Sequence, residues 1–148
     1  MTIAIWGILP AHAQNKIFRK YGDIDNVEYV CITRPMLKLM GSNASTTING
    51  VHIDGIADVL KTILIINTDN GKVCSQMDDD FEQLRDNPSY EVFMEVKLND
   101  EHMVTMVSKT QADKELIMFI RARNSDERTF IVITGKFTDE QIAKLLDK

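Results

Sequence analysis

The sequence predicts an α+β domain: one mostly antiparallel sheet, its C-terminal part a four-strand meander, with helices packed on one face. Three observations carry this. Between Tyr90 and Lys136 four strand-like apolar segments are joined by short polar links, which allow antiparallel pairing only, because a parallel pair needs a long crossover. Apolar residues also recur at helical spacing, most clearly Met77, Phe81 and Leu84 at i, i+4 and i+7. The 148 residues suit one domain rather than two, and a chain of that size buries about 68–70% of its unfolded surface without needing staples.

Taken in order, Ile17, Phe18 and Tyr21 sit at helical spacing in a short first helix that Gly22 ends. Val27 to Thr33 is rich in β-branched and aromatic residues and reads as a strand. Thr33 is placed to cap the next helix, with Pro35 in its first turn, Met36, Leu37 and Met40 as its buried face and Gly41 as its close. Residues 41–50 read as a polar surface loop, in which Asn43-Ala44-Ser45 fits an N-glycosylation pattern that an exported bacterial protein leaves bare. Ile56, Val59 and Leu60 suggest a short helix running into a strand from Thr62 to Asn67, followed by the turn Asp69-Asn70-Gly71 and the Met77 helix, which Pro88 terminates.

The second half alternates more clearly. Tyr90, Val92, Met94, Val96 and Leu98 alternate with Glu91, Phe93, Glu95 and Lys97, so one face of this strand is expected to be buried. Asn99-Asp100 turns the chain into His102 to Lys109, and the strands Leu116 to Arg123 and Thr129 to Lys136 follow. Thr138 to Asp147 closes as a helix with a Thr138/Gln141 capping box and Ile142, Leu145 and Leu146 facing inward. Leu116 to Ile120 and Phe130 to Ile133 are apolar without a break, which predicts cover on both faces, by helices on one side and by a long loop or a second subunit on the other.

The first thirteen residues speak to compartment. An apolar run, Thr2 to Leu9, meets Pro10 and then Ala11-His12-Ala13 before Gln14. Small residues at the first and third positions of that triplet fit the shallow pockets of a signal peptidase. Residues 1–13 are therefore expected to be a signal-peptide remnant and 14–148 a single α+β domain, periplasmic or envelope-located after cleavage before Gln14. The run is short and no Lys or Arg precedes it, so the reading places the true start upstream. The competing reading makes residues 2–9 a buried edge strand. Eight residues cannot span a bilayer, which takes about 20, and because Gln14 rather than a Cys directly follows Ala13, no lipoprotein anchor is expected at this site.

Cys31 and Cys74 can form only one bridge, which an oxidising compartment would permit; two separate buried thiols are the alternative. The net charge of -5 argues against nucleic acid, whose phosphates demand a basic footprint, and against an anionic membrane surface.

No residue set with recognisable chemistry emerges, so neither catalytic nor metal-ligating residues are expected and no cofactor is. Asp78-Asp79-Asp80 with Glu82 is the densest acidic group, but successive helical residues point about 100° apart and do not converge on one ion; acids in a first helical turn, favoured by the macrodipole, explain them better. Glu91 and Glu95 lie about 13 Å apart along a strand, too far for paired-carboxylate hydrolysis of sugars. His52 and His102 have no nucleophile motif beside them, and no glycine-rich phosphate cradle is present. Arg121, Arg123 and Arg128 form the one notable basic group and are the candidate anion contact, with a soluble rim as the plainer reading. Of the eight methionines, Met36, Met40, Met94, Met103, Met106 and Met118 lie in elements assigned to the core, an adaptable set that is more often packing than a ligand box.

The order and spacing of several segments resemble the domain-of-unknown-function family 4252. They are Ile17-Phe18-Arg19-Lys20-Tyr21; Val27 to Met40, with its strand, Ile-Thr junction and Met-containing helix; Ile63 to Ile66; the strand from Tyr90-Glu91 to Val96 after Asn87-Pro88; and Ile133-Thr134-Gly135-Lys136 before the last helix. The resemblance spans residues 15–147. It implies exported proteins typical of the Bacteroidetes and brings no catalytic residues with it. Arg34-Pro35 departs from the Lys and small residue usual there. The expected function is a non-catalytic exported binding or interaction protein of the envelope, with an envelope protein or small ligand as partner and homodimerisation open. A periplasmic carrier of an apolar small molecule is the alternative. A hydrolase with a dispersed site built on His52, His102 and Asp78 ranks last.

Overall fold

Six strands form one antiparallel sheet. The structure, a computed structural model, describes residues 17–41, 47–48, 51–52, 58–109 and 113–146. Residues 1–13, expected to be a signal-peptide remnant, the Asn43 pattern and Ile56 lie outside the described residues. The strands are β1 (Glu28–Thr33), β4 (Leu60–Thr68), β5 (Tyr90–Lys97), β6 (Glu101–Ser108), β7 (Lys114–Ala122) and β8 (Arg128–Gly135). A small hairpin, β2 (Thr47–Ile48) with β3 (Val51–His52), occupies part of the stretch expected to be loop. The helices are α1 (Arg34–Gly41), α2 (Gly71–Arg85) and α3 (Asp139–Leu146); residues 17–19 are also helical and tighten into a 3-10 turn, Lys20–Asp23.

The four-strand meander lies side by side in chain order, β8-β7-β6-β5, and β4 and β1 extend it beyond β8. Val59, expected in a helix, lies in a turn, and Leu60 already begins β4. The β-branched run that follows favours extension over a last helical turn.

Helices on one face only were expected, but the two apolar clusters contain helical side chains from different elements. Ile66, Phe130, Phe119 and Val104 stand opposite one another across β4, β8, β7 and β6; they pack with Val73, Met77, Phe81 and Leu84 of α2 and with Phe18 and Tyr21. Ile63, Ile133, Leu116 and Val107 form the corresponding row of the other parity and pack with Leu37 of α1, Phe137 and Ile142 of α3. The unbroken apolar runs of β7 and β8 follow from this double cover. On the α2 side, Phe119 stacks between Phe81 and Phe130 at 4.7 and 4.5 Å between ring centroids, and Phe18 meets Phe130 edge-on at 5.2 Å.

The alternation in β5 does not bury one face. The register shifts between Val92 and Met94, a β-bulge that leaves Phe93 out of the pairing. Tyr90 and Val92 therefore stand opposite Ser108 and Met106, whereas Met94 and Val96 stand opposite Thr105 and Met103 on the other side. Chain reversals are fastened locally. Asn26, with φ 68°, makes the left-handed turn into β1, and Thr68 Oγ1 donates to its carbonyl at 2.7 Å. Asn70 Oδ1 accepts from the Lys72 and Val73 amides, so the expected turn is also the cap of α2. The Thr138/Gln141 box forms reciprocally, at 2.8 and 3.2 Å.

Candidate binding surface

The α2 stripe of Val73, Met77, Phe81 and Leu84 carries one charged residue in phase with it, Asp80, which is buried. Its carboxylate accepts a hydrogen bond from the Tyr21 hydroxyl and pairs with Lys20 at 2.8 Å, tying the first helix to α2. Burial, then the Asp80 hydrogen bond and charge, push the Tyr21 hydroxyl far above its usual range. A second such pair joins Tyr90 of β5 to Glu115 of β7, where the hydroxyl donates to Oε1 and the Glu115 amide donates to Ser108 Oγ at 2.9 Å. Glu115 is 5% exposed. Burial raises its carboxyl above the usual range and outweighs the opposing hydrogen bond from Tyr90.

A raised carboxyl means that the folded state holds the proton more tightly than the unfolded one, so this group's contribution to stability is fully present below the ordinary value of 4.5 and is lost as pH rises above it. Glu115→Gln keeps an acceptor for Tyr90 and removes the buried charge. The variant should match the wild type near pH 4 and become progressively more stable than it towards pH 7. Urea midpoints across that range test this, and a pH-independent difference would contradict it.

Between α2 and the sheet lies a belt of charge. Arg128, Arg121 and His102 stand opposite one another across β8, β7 and β6. Arg128 Nε donates to Asp78 at 3.1 Å, and Arg121 lies 3.8 Å from both Asp78 and Glu82 with its guanidinium over Phe81 and Phe119. His102 Nε2 meets Glu95 at 2.7 Å, and Arg85 approaches the same carboxylate at 3.4 Å. The His102 hydrogen bond, ahead of the Arg85 charge, holds the Glu95 carboxyl below the usual range.

These partners revise several expectations. Arg121 and Arg128 are engaged by carboxylates and Arg123 by the Leu98 carbonyl, at 2.8 Å, so the three do not form one anion-binding group. The aspartate triplet does diverge, but it sits in the middle of α2 rather than in its first turn: Asp80 is buried against Tyr21, Asp78 faces the arginines and Asp79 is exposed. Among the described residues no group of three or more His, Cys, Asp or Glu is placed to hold a metal ion. Of the His52, His102 and Asp78 set, His102 and Asp78 are each held by other partners, and the His52 side chain lies outside the described residues. Cys31 is exposed on β1 and Cys74 is buried in α2; both thiols are free, so the bridge allowed by the pair is not formed. Cys74 instead donates to the Asp126 carbonyl at the mouth of α2, and burial raises its thiol. A depression of about 320 Å³ on the α3-side face of β6 and β7 is lined by Asp100, Glu101, Glu127, Ile120, Ala122 and Thr129.

Both ends of the sheet are exposed. On β5, Val92 and Phe93 are 44% and 43% exposed, with Leu98 just beyond, and Glu91 is exposed beside them. On β1, Val30 is 47% exposed, and on the helix that follows, Met36, expected to be buried, is 53% exposed while Leu37 takes the core position. Sequence reading missed both tyrosine–carboxylate pairs. The signal was there in phase: Asp80 falls within the apolar stripe of α2, and Glu115 precedes Ile117 and Phe119 on one strand face.

Among the described residues no helix is long and apolar enough to cross a membrane. No curated protein matches the chain. The model of the family described as a domain of unknown function, DUF4252, matches residues 21–145. That span runs from the tyrosine that anchors the first helix into the last turn of α3, and the chain belongs to this family.

Proposed function

We propose that this protein is a non-catalytic binding protein of the bacterial envelope, acting after export, which holds an apolar, basic segment of another protein against β5. The observation that carries the reading is the exposed Val92–Phe93 pair at the sheet edge. A single exposed apolar side chain is ordinary, whereas neighbouring ones on a rigid edge mark a contact surface. The bulge at Phe93 interrupts the outer ladder, so the contact is made by side chains more than by strand addition. Glu91 and the net charge of -5 favour a cation in the bound segment. Export rests on the Ala11-His12-Ala13 site. The carrier reading gains no support from the 320 Å³ depression, whose three acids suit an apolar ligand poorly.

A photo-crosslinking residue placed at Phe93 in the native cells tests this. The expected result is one discrete adduct in the envelope fraction, lost with Val92→Ser and absent when the probe replaces Lys72 of α2, on a protein whose mass begins at Gln14. The partner's crosslinked segment, made as a peptide, should bind the purified protein and lose that binding with Val92→Ser. Equal adducts from both probe positions, or none from Phe93, would reject the surface. A mass that retains residues 1–13 would reject export.

A further inference from the structure

The two edges of the sheet are built differently. β5 carries the devices that discourage edge-to-edge pairing, a bulge at Phe93 and the charges of Glu91, Glu95 and Lys97. β1 carries none of them beyond Glu28 at its start: its sequence is EYVCIT, all six residues pair with β4 without a register shift, and no described strand pairs with its outer side. Glu28, Val30, Cys31 and Thr33 are all exposed there.

We infer that β1 pairs antiparallel with β1 of a second copy of this chain, about a two-fold axis through Cys31, joining the two sheets into one. The register follows from the pleat. Tyr29, Cys31 and Thr33 stand opposite Ile66, Leu64 and Thr62 on the α2 side, whereas Val30 and Ile32 stand opposite Ile65 and Ile63 on the other. A two-fold axis between identical strands must keep each face with its own kind. With the axis at Cys31, Val30 meets Ile32 and Tyr29 meets Thr33, each twice, and Glu28 comes beside Arg34 of α1 just past the end of the ladder. The first two are β-branched with β-branched and aromatic with β-branched, the cross-strand pairs that stabilise a ladder. The third sets opposite charges together at its end, where, among the described residues, Arg34 otherwise reaches only the Asp58 carbonyl, at 3.3 Å. Moving the axis to Val30 would set Glu28 against Ile32 and leave Arg34 without an acid. A β5 pairing that ran the length of the strand would carry a bulge from each copy and the charges of Glu91, Glu95 and Lys97. This contact is independent of the partner proposed at β5, because it uses the opposite end of the sheet.

Sedimentation of the purified chain at about 10–100 μM, chosen to bracket micromolar association, should give twice the monomer mass. Val30→Lys should give a monomer with an unchanged circular dichroism spectrum, while Val92→Lys stays dimeric. Glu28→Arg, which places like charges together, should weaken association at least tenfold, and adding Arg34→Glu should restore it. With copper phenanthroline as the oxidant, the dimer should form a covalent species that Cys31→Ser abolishes and Cys74→Ser does not, because opposed residues in a ladder lie about 4.5–5.5 Å apart at Cα, within disulfide reach. A monomer throughout that range, a dimer indifferent to both Val30→Lys and Glu28→Arg, or a dimer that does not crosslink through Cys31 would overturn the inference.

Discussion

Replacing Phe130 with alanine is expected to lower stability by about 3–5 kcal/mol, the range for a buried phenylalanine removed from a filled core. Phe130 is fully buried, and its ring is shared by Phe119, Phe18 and Tyr21. Its strand pairs on both sides, so the hole cannot close by shifting an edge. The substitution would also loosen the first helix, whose attachment to the sheet runs through Phe18 and Tyr21. Denaturant midpoints, with Phe93→Ala as the control that should lose much less because Phe93 is 43% exposed, measure the difference. Near-equal losses at the two positions would mean that the aromatic stack does not hold the α2 face.

Gly135→Ala should be the other severe change. A Cβ at Gly135 would sit 2.4 Å from the Val59 carbonyl oxygen and 2.9 Å from the Leu60 Cα, both backbone atoms that no rotamer can move aside. The Lys136 amide donates to that same carbonyl at 2.9 Å, and the register between β4 and β8 already shifts between Leu60 and Thr62. The methyl must therefore part the chain at the start of β4, at a cost of about 1–3 kcal/mol or more for an overpacked site. Gly71→Ala, where nothing lies within 4 Å, should instead be neutral or stabilising by up to about 1 kcal/mol. Thermal melts of the pair, with hydrogen exchange at the Lys136 amide, distinguish a local clash from a general intolerance of alanine.

The strands and helices were legible wherever one periodicity ran undisturbed. The meander, α2 with its Met77, Phe81 and Leu84 stripe, and the capping box before α3 all stand where pattern put them. The failures have separable causes. The bulge at Phe93 exchanges the two faces of β5, and a single extra residue leaves no mark on an alternating sequence. Helices on both faces were hidden because, among the described side chains, α1 and α3 each show the core one apolar residue: Leu37 is buried in α1, where Met36 is exposed, and Ile142 in α3, while the side chains of Met40, Leu145 and Leu146 lie outside the described residues. Val59 and Leu60 fit helix and strand equally in so short a window. At the candidate surface, a sequence can show that Val92 and Phe93 are apolar but not that their strand lies at an end of the sheet. Strand order decides that, and the final strand, β8, takes the place beside β4 that β5 would otherwise hold.

That position of β8 has a kinetic consequence. The pairs it makes with β4 join residues from Thr68 with Arg128 to Leu60 with Gly135, sixty or more positions apart, and such distant closures are slow because a long loop must be ordered before any contact rewards it. While β8 is still unmade, β1 and β4 lack the strand that joins them to the meander by backbone pairing, and the central row of each face lacks its β8 member.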